Sequence, residues 1–476
     1  MAALLRVAII FIFKMVFSSL LFLFWFIPIF FAVYFICPAK WRNAVLFLGS
    51  IVFYAWGEPI YLLLIFISIA VNYVAGLFIK TTDGITHTLS ENIAFYGAII
   101  FDFGMLFVFK YTGFFVENIN AMAGTSIPDP HLTLPLGISF YTFQIASYVI
   151  DRYRGKIATE HNPLTLGTYL VMFPQLIAGP IVIYSQVSEQ LHERSITLEK
   201  VSDGITTFIL GLSSKVLIAN TVGALWNDLE AIGYSRISMP LAWLGVVAFT
   251  LQIYFDFNGY SLMAIGLGKM LGFDIPQNFN YPYISRSLTE FWRRWHMTLS
   301  GWFRDYVYIP LGGNRKGTAR TYVNLFIVWF LTGFWHGAGW NFICWGLFFF
   351  VFLSLEKSFL KGFLETHKVI SRIYALLFIG LSWMIFAITD FAQLGVYTTR
   401  LVAFSSLSCS DDFIYYLRNY GVVMALGCLF STPVLAAWFG RIRRRPVGIA
   451  VQVALLFVCV CYLADASYNP FLYFRF

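Results

Sequence analysis

Apolar runs near the length of a bilayer crossing recur along the whole chain, and they leave few folds open to it. A helix needs about 20 predominantly apolar residues to cross the hydrocarbon core. Candidate spans fall at 17–36, 44–56, 60–79, 93–115, 199–224, 240–270, 321–336, 338–359, 371–390, 413–438 and 447–465. The expected fold is therefore all-α, a polytopic membrane bundle of roughly eleven or more transmembrane helices. No hydrophilic stretch is long enough to form a separate domain, so residues 1–476 read as one membrane-embedded domain.

Composition closes off the soluble classes. Hydrophobic residues make up 59% of the chain and charged residues 12%, against about 25% charged in soluble domains. The net charge of +8 does not indicate a nucleic-acid partner, because Lys and Arg gather in the cytoplasmic loops of membrane proteins. Lys40 and Arg42 after the first span, and Arg441, Arg443, Arg444 and Arg445 before the last, mark cytoplasmic loops and put the N-terminus outside. The six cysteines are scattered without metal-ligand spacing, so neither a metal site nor a disulfide framework is expected.

Polar groups inside apolar runs are the next constraint. Asp102 and Lys110 lie eight residues apart in one run, as an ion pair across two turns or with partners on other helices. Lys110 and Lys215 also fit snorkelling to an interface. The segments 134–155 and 172–180 mix Pro, Gly, Ser, Thr and Gln into hydrophobic sequence. At membrane depth this suits a cavity wall. Asp256, in an apolar helix, needs a partner: it either joins an ion pair or orients a histidine.

The richest stretch is 287–350. Leu288, Phe291, Trp292, Trp295, Leu299 and Trp302 recur at three- and four-residue steps, which predicts one amphipathic helix. On that wheel His296 falls beside Trp292, Thr289, Ser300 and Phe303. Further on, His336 and Asn341 sit in an almost purely apolar run, with Gly333, Gly337, Gly339 and Gly346 around them. Small residues there let helices come close, and an imidazole in hydrocarbon is costly without a role or a partner.

The blocks RSLTEFWRRWHMTLSGWFRDYVYIPLGGNRKG and LTGFWHGAGWNFICWG resemble the signature blocks of the membrane-bound O-acyltransferases, in particular the bacterial alginate O-acetyltransferase branch. The resemblance runs over both blocks and extends to 134–155, 172–180 and 254–279. It departs from the family pattern at Ile183, Ser214, Asn220 and Leu262. The resemblance implies broken or re-entrant helices around a central cavity, with His336 as the catalytic residue and His296 in support. It begins at Met15, so residues 1–14 read as the product of an early start codon or as a genuine extension of the first helix, without a signal-peptide cleavage site.

Acyl transfer to a hydroxyl needs a base near the alcohol, and a desolvated, neutral His336 supplies one. Around it, Trp335, Trp292, Asn341 and Asp256 are candidate substrate contacts, Asn341 equally a stitch between helices, and Arg293, Arg294, Arg304 and Lys316 are either grips for a coenzyme A phosphate or positive-inside residues. The resemblance further implies a cytoplasmic acyl thioester donor, most simply acetyl-CoA, with no tightly bound cofactor. The acceptor would be an extracytoplasmic polysaccharide such as alginate, reached directly or through an esterase-like partner, and the enzyme would sit in the cytoplasmic membrane. Two alternatives stay open at this point: D-alanyl transfer to teichoic acid from a carrier protein, and a transporter without chemistry.

Overall fold

The computed structural model describes residues 15–80, 86–406, 411–465 and 472. The expectations for residues 1–14 and for most of the aromatic C-terminus fall outside these. Among the described residues the regular elements are helices. In chain order the principal ones are α1 (Ile27–Ile36), α2 (Arg42–Gly57), α3 (Leu62–Phe78), α4 (Leu89–Ala123), α5 (Ile138–Tyr153), α6 (Leu198–Ser213), α7 (Asn220–Ile232) and α8 (Met239–Leu271). They continue with α9 (Leu288–Trp292), α10 (Met297–Phe303), α11 (Thr318–His336), α12 (Trp340–Leu355), α13 (Lys368–Ala387), α14 (Asp411–Phe430), α15 (Pro433–Ile442) and α16 (Pro446–Asp465).

Eight helical stretches among the described residues are long and apolar enough to cross a membrane. They contain α3, α4, α6 with α7, α8, α12, α13, α14 and α16. The other expected spans are helical too: α1 and α2 are shorter, and α11, with 19 residues, is long enough but less apolar. The candidate at 413–438 divides in two. Pro433 lacks a backbone N–H and cannot continue α14, so it opens α15 from a first-turn position.

The residues group into two compact units, 1–208 with 263–276, and 209–262 with 277–476. In the first, Asp102 accepts from Asn72 Nδ2 on α3 at 2.8 Å, and Lys110 Nζ donates to Ser139 Oγ on α5 at 3.3 Å. Their partners thus lie on other helices. Every residue of α5 from Ile138 to Val149 is buried. Tyr169 Oη donates to the carbonyls of Gln144 and Val182, each at 2.9 Å, and Gln175 Nε2 to the Tyr169 carbonyl at 2.7 Å. Other polar groups of the segment stay unbonded beside these contacts: the Gln144 side-chain amide and the Tyr141 and Thr142 hydroxyls are buried without a hydrogen-bond partner among the described residues.

In the second unit, Lys215 lies in a π-helical turn (Ser214–Ala219) between α6 and α7. Its ammonium is 2.5 Å from Asp256 on α8 and 3.1 Å from Asn220 Oδ1, and Asp256 also accepts the Leu472 amide at 2.7 Å. Both ions are buried. Lys215 therefore does not snorkel, and the partner that Asp256 needs is a lysine rather than a histidine or an arginine.

Candidate active site

The site lies in the second unit and begins where an expected helix breaks. Ser287 caps α9 by accepting the Glu290 amide at 2.9 Å. Glu356, buried, accepts the next free amides, Leu288 N at 2.6 Å and Thr289 N at 2.9 Å, where a carboxylate is favoured by the helix dipole. The helix then stops after Trp292. The Arg294 carbonyl accepts from Asn280 N at 2.8 Å, and Met297 N donates to the Asn278 carbonyl at 2.9 Å. An extended segment has taken the backbone groups a continuous helix would have used. His296 absorbs the reversal in a left-handed conformation, φ +44°, which costs a non-glycine residue about 1–2 kcal/mol. The amphipathic period is real, yet two short helices carry it instead of one.

The break takes His296 off the wheel and into the interior. The ring is fully buried, its centre 4.7 Å from that of Phe257 and 6.5 Å from that of Phe279. Nδ1 lies 3.1 Å from Asn278 Oδ1. The same oxygen takes Thr298 Oγ1 at 2.9 Å and Thr298 N at 3.4 Å, while Asn278 Nδ2 faces Ser261 Oγ at 3.2 Å. Nε2 of His296 is buried without a hydrogen-bond partner among the described residues. Burial pushes the imidazole pKa down to about 3, so the ring is neutral at ordinary pH.

His336 ends α11, buried among rings. Its centre is 5.0 Å from Trp335, 4.9 Å from Trp345 and 5.4 Å from Phe386. Trp335 is also in ring contact with His296, at 6.2 Å, so one indole touches both imidazoles. The glycines act as expected. A Cβ on Gly346 of α12 would meet the Trp329 carbonyl, and one on Gly333 of α11 the Phe342 carbonyl. These contacts bring α11 and α12 together and fix where His336 sits.

A cavity of about 800 Å³ lies across Trp345 from His336, with neither histidine among its lining residues. Trp292, Leu299, Phe303, Val328 and Trp329 form its apolar lining, and Arg286, Arg293, Arg304, Lys357 and Lys361 carry positive charge around it. The Trp292 indole nitrogen is buried without a hydrogen-bond partner among the described residues. Trp345 touches both Trp292, at 5.7 Å, and His336, which puts one ring between the cavity lining and the second histidine.

The other expected contacts divide. Trp292, Arg293 and Arg304 line the cavity, although Arg304 is held by Asp305 through two hydrogen bonds at 2.7 and 2.9 Å. Arg294 is not among the lining residues: it pairs with Glu290 at 2.9 Å and donates to the Asn280 carbonyl at 3.1 Å. Lys316 is exposed over Gly312. Asn341 donates to the Phe386 carbonyl at 3.1 Å, which stitches α12 to the end of α13.

Comparison with known proteins decides the class. The sequence profile of the MBOAT, membrane-bound O-acyltransferase family, matches residues 154–399. The chain belongs to this family. It is 36% identical to the "Probable alginate O-acetylase AlgI" of Azotobacter vinelandii over 97% of this chain and all of that protein. It is 35% identical to the peptidoglycan O-acetyltransferase of Helicobacter pylori strain 26695, over 79% of this chain and 77% of that protein. To the teichoic acid D-alanyltransferase of Bacillus subtilis it is 30% identical, over 57% of this chain and 70% of that protein.

The protein is thus a multi-pass membrane-bound O-acyltransferase of the alginate O-acetyltransferase-like branch, and the transport alternative falls away. Sequence reasoning missed several residues that shape the acyltransferase site: Asn278, Ser261, Thr298 and Glu356. Asn278 carries a faint signal, an asparagine in a stretch bounded by Pro276 and Pro282 where helix is disfavoured. Lys357 and Lys361 were missed as well.

Proposed function

We propose that this enzyme transfers an acetyl group from a cytoplasmic thioester, acetyl-CoA, to the hydroxyl of an extracytoplasmic polysaccharide, working from the cytoplasmic membrane. One observation carries the reading: two buried imidazoles share the Trp335 ring, and Trp345 links one of them, His336, to Trp292 in the lining of a cavity with positive charge around it. His336 takes the proton from the acceptor hydroxyl as its oxygen attacks the thioester carbonyl. The C–S bond breaks, the departing thiolate takes up that proton, and the ester is released. His296 accepts a hydrogen bond from a substrate O–H or N–H. The cavity receives the pantetheine arm, with the Trp292 indole as a donor to it, while Arg293, Lys357 and Lys361 meet the phosphates. The similarity to proteins named for alginate and peptidoglycan O-acetylation supports a surface polymer as acceptor, reached directly or through an esterase-like extracytoplasmic partner.

Purified enzyme in lipid vesicles, given labelled acetyl-CoA and an acceptor polysaccharide, should form alkali-labile acetyl esters. A His336→Ala variant should lose about 10²- to 10⁴-fold of that rate, the usual contribution of a positioned base. Labelling from D-alanyl carrier protein but not from acetyl-CoA would replace the donor and with it the acetyl reading. An unaffected His336→Ala rate would remove the base.

A further inference from the structure

We propose that Asn278 is a positioning residue that locks His296 in one tautomer and makes Nε2 a hydrogen-bond acceptor. What each atom is able to donate or accept fixes the tautomer. The Thr298 backbone N–H donates to the Asn278 side-chain atom 3.4 Å away, and the Thr298 hydroxyl lies 2.9 Å from the same atom. A backbone N–H cannot accept, so that atom is the amide oxygen and not the nitrogen. An amide oxygen only accepts, so the His296 Nδ1 that faces it at 3.1 Å carries the ring proton. In a neutral imidazole Nε2 then holds the lone pair.

The lock is itself held. Asn278 Nδ2 lies 3.2 Å from Ser261 Oγ on α8, and the Asn278 carbonyl accepts Met297 N at 2.9 Å. Ser261, Asn278 and His296 are all buried, where water cannot supply a competing partner. The groups facing the ring are the rings of Phe257, Phe279 and Trp335 and the Asn278 amide; none bears a charge.

The consequence resolves a choice left open by the residue type alone. An Nε2 without a proton cannot donate to the thioester carbonyl. It receives a hydroxyl or an amide N–H, so His296 belongs to the hydroxyl acceptor or to the pantetheine amides and not to the developing oxyanion. This rests on the acyltransfer reading above.

The test reads the tautomer directly. Nitrogen spectra of ¹⁵N-histidine-labelled full-length enzyme in micelles, with the His296 signal identified by its loss in His296→Gln, should show Nδ1 protonated and Nε2 bare. Asn278→Ala should abolish that single tautomer and lower kcat by between about 10²- and 10⁴-fold, as when an imidazole loses its orienting partner. Asn278→Asp keeps an acceptor at the same place, so it should retain the tautomer and recover much of the rate. Its carboxylate favours the imidazolium, so the acid limb of the kcat profile should move to higher pH. Thr298→Val removes a contact of Asn278 without touching the ring and should keep the tautomer. A proton on Nε2 in the parent protein, or an Asn278→Ala spectrum unchanged from it, overturns the proposal. Should the spectra behave as stated while no variant or parent forms acetyl esters, the acyltransfer reading fails and the positioning role stands.

Discussion

At the scale of single residues, the buried ion pair and the histidine lock differ in what they do and in how far the sequence announced them. Asp256 stood out as a carboxylate in an apolar helix, and the need for a partner followed from the cost of burying it. Which partner could not follow, because Lys215 is 41 residues away and reaches it only through the π-helical turn. Breaking such a pair from one side leaves an uncompensated charge, typically about 3–5 kcal/mol. Lys215→Met should lower the thermal midpoint in micelles accordingly, and adding Asp256→Leu should restore most of the loss. If the double variant melts as low as the single one, the pair is not the source of the loss. His296 was equally visible as an imidazole among tryptophans, but its surroundings were not. Its partners come from residues 257, 278 and 279, and the helical wheel names only near neighbours in sequence.

At the scale of elements, helices were legible because their signal is local: apolar runs of bilayer length and prolines that cannot be extended through. The break between α9 and α10 was not, because it is imposed from outside by the 278–280 segment. The approach of α11 and α12 was legible in kind, from glycines near His336, and the structure adds which backbone each glycine meets. Gly346→Ala would drive a methyl group against the Trp329 carbonyl. Overpacking of that sort costs about 1–3 kcal/mol, and here it also displaces the helix that carries His336. The variant should melt lower and turn over more slowly. Gly362→Ala, in a helix with open space at its Cβ, should leave stability unchanged or raise it by up to about 1 kcal/mol. Equal effects at the two sites would mean that backbone freedom, not close approach, is what the glycines supply.

At the scale of the whole molecule, charge sets the proposed donor cavity apart from the apolar spans. A positive excess is ordinary in a membrane protein, and composition alone could not tell a phosphate grip from a topology signal. Pairing within the site shows which of these charges are already engaged. Glu290 is engaged with Arg294, Glu356 with the amides of α9, and Arg304 with Asp305. Around the cavity this leaves Arg286, Arg293, Lys357 and Lys361 against the charges of Glu356 and Glu365, still a net positive field over an apolar pocket. Phosphates on a donor would feel that field and an uncharged thioester would not. Arg293→Glu combined with Lys357→Glu should therefore raise KM for acetyl-CoA about 10-fold or more, the result of losing roughly 1.4 kcal/mol of binding, with kcat little changed. For a short acetyl thioester without phosphates, KM should stay the same. Salt should mimic the substitutions in the parent enzyme, because the screening length contracts from about 8 Å at 0.15 M to 3 Å at 1 M. A fall in kcat with either donor, at constant KM, would instead place these cations in the architecture of the site and leave the phosphates to be held elsewhere.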